Sequence, residues 1–286
     1  MSVSLGTEQP LYKYHFQPED HSEAISCLLE NGFCVIRCLI GEGVIQALKD
    51  SIDEHLDQDR TLPLASNRYH VAFVEVCETL WNLVDNGPYW DFICAVHGTS
   101  NLCLHRSAAI LRTAGESMGK WHSDFRGDIK NPRNVNEVLN RFPIPSGLWF
   151  YLNGSHPDRG GIAVIEKSHL PGWKPLGYEF SPEGGIYRIG EDENKVCSDM
   201  DVPGCVAIRA EPGDLICFAD RTYHANMTTN ERRYSCGIGW RPKSYRVIAP
   251  WPLTKSAITM IDRLPERLKT YTEGYTGLDT NWKGSG

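Results

Sequence analysis

Apolar residues recur at helical spacing early in the chain and at strand spacing later. Between Glu19 and Asn31, the residues Ala24, Ile25, Leu28 and Leu29 form one stripe, and Gly32 supplies a C-terminal stop. Phe33 to Ile40 is short, apolar and partly β-branched, which predicts a strand. From Glu42 to Leu56 a second amphipathic helix is expected, with Val44, Ile45, Leu48, Ile52 and Leu56 on one face. Val71 to Val96 predicts partial helix, interrupted near Asn86-Gly87-Pro88.

The texture changes from about Leu102. Short apolar segments (LCLHRSAAIL, GLWFYLN, GIAVIE, CVAIRA, DLICFA, YSCGIGW) alternate with Gly, Pro, Asn and Asp clusters, the mark of an antiparallel sandwich or barrel. NGSHPDRGG, 153–161, is expected to be a hairpin loop, and Glu211-Pro212-Gly213-Asp214 a type II turn into a strand. Two long irregular stretches, 126–146 and 171–201, have the length of lids or binding loops. The final Lys283-Gly284-Ser285-Gly286 is expected to fray.

Composition removes several classes. At 286 residues with 41% apolar content the chain can bury a sizeable core. A formal charge of -7 gives no general attraction to nucleic acid or anionic membrane, although a small anionic ligand stays possible. No stretch approaches the roughly 18 apolar residues a bilayer span needs, and the first residues lack a signal-peptide pattern. The ten cysteines include no Cys-x2-Cys pair and often sit in apolar runs, so free thiols in a cytosolic protein are expected.

The chemistry-bearing pattern is His-x-Asp. Non-haem iron sites of the facial-triad type use two imidazoles and one carboxylate and leave coordination positions open. Residues i and i+2 of a strand share a face, so a His-x-Asp pair can supply two ligands. His-x-Asp or His-x-Glu occurs four times, beginning at His21, His55, His122 and His156. His21 and His55 fall on or beside expected helices, where i and i+2 lie roughly 200° apart around the axis. His156 has Pro157 inside the motif and lies in a loop. His122 and Asp124 lie in the β-rich region, and His224, just after a strand, is the candidate third ligand. His105 and His169 are less well placed.

Nine residues past His224, the stretch Arg233–Trp240 divides by parity. Arg233, Ser235, Gly237 and Gly239 form a polar, open face; Tyr234, Cys236, Ile238 and Trp240 form a packing face. Arg233 can grip a carboxylate with a bidentate fork and Ser235 can add a hydrogen bond. The neighbouring Arg232 is the alternative anchor.

Three blocks in order, WHSD, GLWFYLNGSHPDRGGIAVIEKSH and EPGDLICFADRTYHANMTTNERRYS, make residues 102–242 resemble the phytanoyl-CoA dioxygenase family of Fe(II)/2-oxoglutarate oxygenases. The resemblance implies a mainly β fold with flanking helices and a double-stranded β-helix (jelly-roll, cupin-like) core. One domain would span 1–286: a helical lead-in at 1–100, the core at 101–245 and an extension at 246–286. It further implies iron held by His122, Asp124 and His224. 2-Oxoglutarate would be held by Arg233 and Ser235, with Trp149 lining its pocket and Asn226 in minor contact; O2 is the co-oxidant. Similar halogenases have a small residue where Asp124 stands, so halogenation is disfavoured. The substrate is expected to be a small metabolite touched by Phe125, Arg126 and Tyr223, with no nucleic-acid or membrane partner. Two rivals are a non-oxidative metal hydrolase or isomerase, which would show a fourth protein ligand, and a catalytically silent binding barrel.

Overall fold

The computed structural model describes residues 12–85, 87–125, 131–139, 147–182, 184–278 and 281–282. Arg126, most of the 126–146 stretch and the Lys283–Gly286 tail lie outside the described residues.

A short strand β1 (His15–Phe16) precedes helix α1 (His21–Asn31), which ends on Gly32 at φ 88°. That left-handed conformation costs glycine nothing. The turn delivers the chain into β2 (Phe33–Ile36), fully buried and shorter than expected, and then into α2 (Glu42–Leu56), as its apolar stripe predicts. The polar segment Asn67–Val71 forms an unanticipated strand, β3. It lies at a sheet edge with most residues exposed, so no alternation marks it. Within the expected interrupted helix come a single turn at Phe73–Glu75, α3 (Glu78–Trp81) and α4 (Gly87–His97). Gly87-Pro88 opens α4, because proline is tolerated in a first helical turn.

The β-rich region supplies β4 (Leu102–Arg112), a short α5 (Val135–Leu139), β5 (Gly147–Tyr151), β6 (Ile162–Ile165), β7 (Tyr178–Phe180), β8 (Ile186–Arg188), β9 (Cys205–Ala207), β10 (Leu215–Phe218), β11 (His224–Asn226) and β12 (Arg233–Pro242). One seven-stranded sheet runs β1-β2-β10-β5-β12-β4-β3, parallel at β1/β2 and antiparallel elsewhere. A smaller sheet runs β11-β6-β9, and β7 pairs with β8 inside the 171–201 stretch. The 153–161 segment is not a hairpin. It joins β5 in the large sheet to β6 in the small one, so it crosses between sheets. The Gly213 turn is as expected: its φ is +93° and the Asp214 amide donates to Glu211 O at 3.1 Å.

Strand alternation distributes the core. On β12, Tyr234, Cys236, Ile238 and Trp240 pack toward the helices, and Trp240 meets Trp90 edge-on with ring centres 5.0 Å apart. On β6, Ile162 and Val164 join this main core, whereas Ala163 and Ile165 join a second one with Trp121, Ala225 and Met227. The C-terminal helices α6 (Lys255–Arg263) and α7 (Glu266–Lys269) bury Ala257, Met260 and Leu268 against the main core. All ten cysteines are free thiols. No described helix is long and apolar enough to cross a membrane.

Candidate metal centre and its cavity

Backbone pairing places the two histidines. Segment 119–122 runs antiparallel to β11: the Gly119 amide donates to Asn226 O at 2.8 Å, His122 to His224 O at 3.2 Å, and His224 back to His122 O at 2.9 Å. Residues that exchange both amide bonds stand directly opposite, with side chains on one face. The imidazole centres are accordingly 4.4 Å apart. Trp121, fully buried, anchors this segment by donating its indole N–H to Asp199 O at 2.7 Å. Asp124, two residues beyond His122, returns to the same side. Ligand atoms of His122, Asp124 and His224 all lie within 4.8 Å of one another, the one such group among the described residues, and it has no fourth member.

The donor set suits a divalent cation. His122 Nδ1 lies 2.9 Å from Lys120 O and His224 Nδ1 lies 3.0 Å from Thr222 O. Each carbonyl can only accept, so Nδ1 carries the proton and Nε2 keeps its lone pair, the outer support usual for metal-binding histidines. Burial, with the neighbouring His122, pushes His224 down to about 4, while Asp124 pulls the other way. His224 is therefore neutral at ordinary pH, the form that ligates. Donor atoms at right angles about one ion stand about 3 Å apart when each bond is about 2.1 Å, so side-chain adjustment closes the observed spread.

A cavity of about 300 Å³ lies between the sheets, with all three residues on its wall. Trp149, Tyr151, Phe218 and Asn226 line it as well. Gly237, opposite Trp149 in the β12–β5 register, also lines it. A Cβ there would stand 2.5 Å from Leu148 O and 3.0 Å from the indole. Gly237→Ala is expected to cost about 1–3 kcal/mol through overpacking and to displace Trp149; thermal unfolding and tryptophan fluorescence check both. A second, more open space of about 920 Å³ shares Tyr69, His122 and Asn226 with the first. Pro182, Gly185 and Val196 from the 171–201 stretch line this outer space.

The two arginine candidates separate cleanly. Arg232 turns outward to α2, donating from Nη1 to Asp57 at 2.7 Å and from Nη2 to Asp53 at 2.5 Å. Arg233 turns inward and is buried; it donates from Nη1 to Arg159 O at 3.3 Å and from Nη2 to Gly154 O. It lines a small space with Ser235, Tyr151 and Asn226, next to the main cavity. The Tyr151 hydroxyl donates to Asn226 Oδ1 at 2.8 Å, between the two spaces.

Of the expected substrate contacts, Phe125 and Tyr223 do not line either space. Tyr223 packs against Trp173 and Phe180, with ring centres 5.3 and 5.8 Å away. Phe125 lies beneath the Arg221 guanidinium at 4.4 Å. Arg126 lies outside the described residues. Of the rejected motifs, His55 bonds Ser51 O within α2, and His156 sits 3.4 Å from Asp158 within its loop. His169 bonds Leu29 O and packs under Gly32, a structural position.

Arg106, Tyr69 and Leu278 line the cavity but escaped the sequence reading. Arg106 carried a signal: a charge inside the apolar strand LCLHRSAAIL has to face something polar. Tyr69 lies on the strand that alternation missed, and Leu278 comes from the C-terminal extension.

No family model matches the chain, and no curated protein matches it. Solved structures do. HygX from Streptomyces hygroscopicus, determined with nickel and 2-oxoglutarate and also with hygromycin B, superposes with a TM-score of 0.57 at 14% identity, covering 91% of this chain and 96% of that one. SnoN, an epimerase determined with Fe3+, alpha ketoglutarate and nogalamycin RO, gives 0.56 at 16% identity over 94% and 95%. SnoK, a non-heme alpha ketoglutarate dependent carbocyclase from nogalamycin biosynthesis, gives 0.52 at 16% identity over 77% and 86%. At these identities the likeness is one of fold: this chain folds as non-haem 2-oxoglutarate-dependent enzymes do.

Proposed function

We propose that the chain is an Fe(II)/2-oxoglutarate-dependent oxygenase that oxidises an unactivated C–H bond of a small metabolite. The observation that carries this reading is the convergence of two imidazoles and one carboxylate at the wall of a cavity between two sheets. Three protein ligands, with no fourth among the described residues, would leave positions for cosubstrate and O2, whereas a non-oxidative metal enzyme was expected to add a fourth. A silent barrel has no need of two imidazoles braced by backbone carbonyls beside a buried guanidinium. The shared fold with HygX, SnoN and SnoK, whose structures or names carry 2-oxoglutarate, supports the same reading.

The two sheets are read as a double-stranded β-helix core within one domain, of the phytanoyl-CoA dioxygenase type. His122, Asp124 and His224 would hold Fe(II). Bound iron, 2-oxoglutarate and O2 together supply an oxidative decarboxylation to succinate and CO2, and with it the oxidising power for the substrate. The remaining steps belong to the chain. Arg233 exchanges carbonyl partners for the distal carboxylate of 2-oxoglutarate, with Ser235 beside it. Trp149 forms the wall along which the cosubstrate lies, and Asn226 closes the space from the metal side. Asp124 supplies a carboxylate where similar halogenases have a small residue, which would favour oxygen chemistry over halogenation. Hydroxylation is the first outcome; ring closure or desaturation would follow from substrate placement rather than from the ligands. The outer space, with the 171–201 stretch on its rim, is where a small organic substrate would enter. The ten free thiols fit a reducing, cytosolic setting.

Anaerobic addition of Fe(II) and 2-oxoglutarate tests the reading. A weak visible charge-transfer band is expected, followed by succinate on admitting O2. A protein that binds Fe(II) yet gives neither band nor succinate would sink it.

A further inference from the structure

We infer that Arg106 is a positioning residue that makes Asp124 offer a single carboxylate oxygen to the metal. This rests on the proposed three-residue metal site. Arg106 Nη2 lies 3.3 Å from Asp124 Oδ2 and 3.6 Å from Asp220 Oδ1, and Asp220 is buried. The same Asp220 holds the loop that carries Asp124: its carbonyl accepts from Ser123 Oγ at 3.1 Å and from the Phe125 amide at 3.1 Å. Asp220 therefore grips both the residues flanking Asp124 and the guanidinium that touches its side chain. The bracket is closed on both sides.

The fold makes a place for this arginine. The β12–β4 register pairs Gly239 with Arg106 and Trp240 with Leu104, so His105 is an extra residue on β4. Such a bulge re-aims the side chains beside it. Gly239, opposite Arg106, offers no side chain to compete for the cavity wall. The guanidinium can then lie across toward the metal-side carboxylate.

The chemical consequence concerns coordination number. A carboxylate free on both oxygens can chelate an ion and occupy two positions. A carboxylate with one oxygen engaged by a guanidinium is a poor chelator, since the engaged lone pairs are already committed. Holding Asp124 to one oxygen keeps three positions open, the number that a bidentate cosubstrate and O2 require. Arg106 also limits the mutual repulsion of Asp124 and Asp220 before any cation binds.

Co(II), whose visible bands report its ligand set and geometry, is the probe. Titration of wild type, Arg106→Gln, Arg106→Lys and His122→Ala reads both affinity and geometry. In Arg106→Gln the Co(II) bands are expected to shift, as the second Asp124 oxygen replaces a bound water, and loss of the neighbouring guanidinium charge is expected to raise the Co(II) affinity rather than lower it. Arg106→Lys keeps the charge without the fork and is expected to hold the affinity near that of wild type without restoring the wild-type bands. Unchanged bands in both Arg106 variants overturn the inference, whatever the affinity. Should Arg106→Gln not fold, Arg106→Lys decides by the same bands. If wild type binds no Co(II), or His122→Ala binds it equally well, the metal site itself fails rather than the role of Arg106.

Discussion

Replacing His224 by alanine is expected to abolish Fe(II) binding and, with it, both the 2-oxoglutarate band and succinate formation. His224 is the buried floor of the site, its Nδ1 held 3.0 Å from Thr222 O and its ring 4.4 Å from that of His122. Removing an outer partner of a metal ligand costs about 10–100-fold in affinity; removing the ligand itself costs more. The fold should survive the change. The His122–His224 pairing is made by backbone amides, and the ring faces a cavity rather than closing a hydrogen-bond network. Calorimetric Fe(II) titration beside a thermal melt separates the two effects. Retained Fe(II) affinity in a folded His224→Ala protein would place the metal elsewhere.

The second large effect divides neighbouring arginines. Arg232→Ala is expected to lower stability by on the order of 1–2 kcal/mol, because the buried Asp57 loses its guanidinium and keeps only the Thr61 and Leu62 amides, while Arg232 itself is partly solvated. Asp53 suffers less, since Arg60 lies 2.7 Å away and the Tyr234 hydroxyl donates to it at 3.0 Å. The affinity for 2-oxoglutarate should not change. Arg233→Lys is expected to do the reverse. It keeps the charge and loses the fork, so 2-oxoglutarate should bind about tenfold more weakly, the equivalent of one charge-assisted hydrogen bond, with little change in unfolding. Urea denaturation and cosubstrate titration on both variants provide the check. An exchanged pattern, with Arg232 controlling 2-oxoglutarate, would reverse the assignment.

Much of the local structure was legible because local physics decides it. The stripe Val44, Ile45, Leu48, Ile52 and Leu56 can be buried only as a helix, and Gly32 can end α1 because its backbone tolerates φ 88°. The parity of Arg233–Trp240 separated a packing face from a cavity face correctly, since side chains on a strand must alternate. His122 and Asp124 stood out among four similar motifs through their β-rich surroundings.

What the chain alone determined, then, is which residue types share a face within one element. Pairing between distant elements lay beyond it. Segment 119–122 beside β11, the 153–161 crossing between sheets, and Arg106 over Asp124 and Asp220 all join residues far apart in sequence. Periodicity is a property of neighbours along the backbone; which strand lies beside which is settled by burying the whole apolar surface at once. For that reason the candidate ligands and the inward Arg233 could be proposed from residues, while their backbone supports, the cavity and Arg106 emerged only from the tertiary structure.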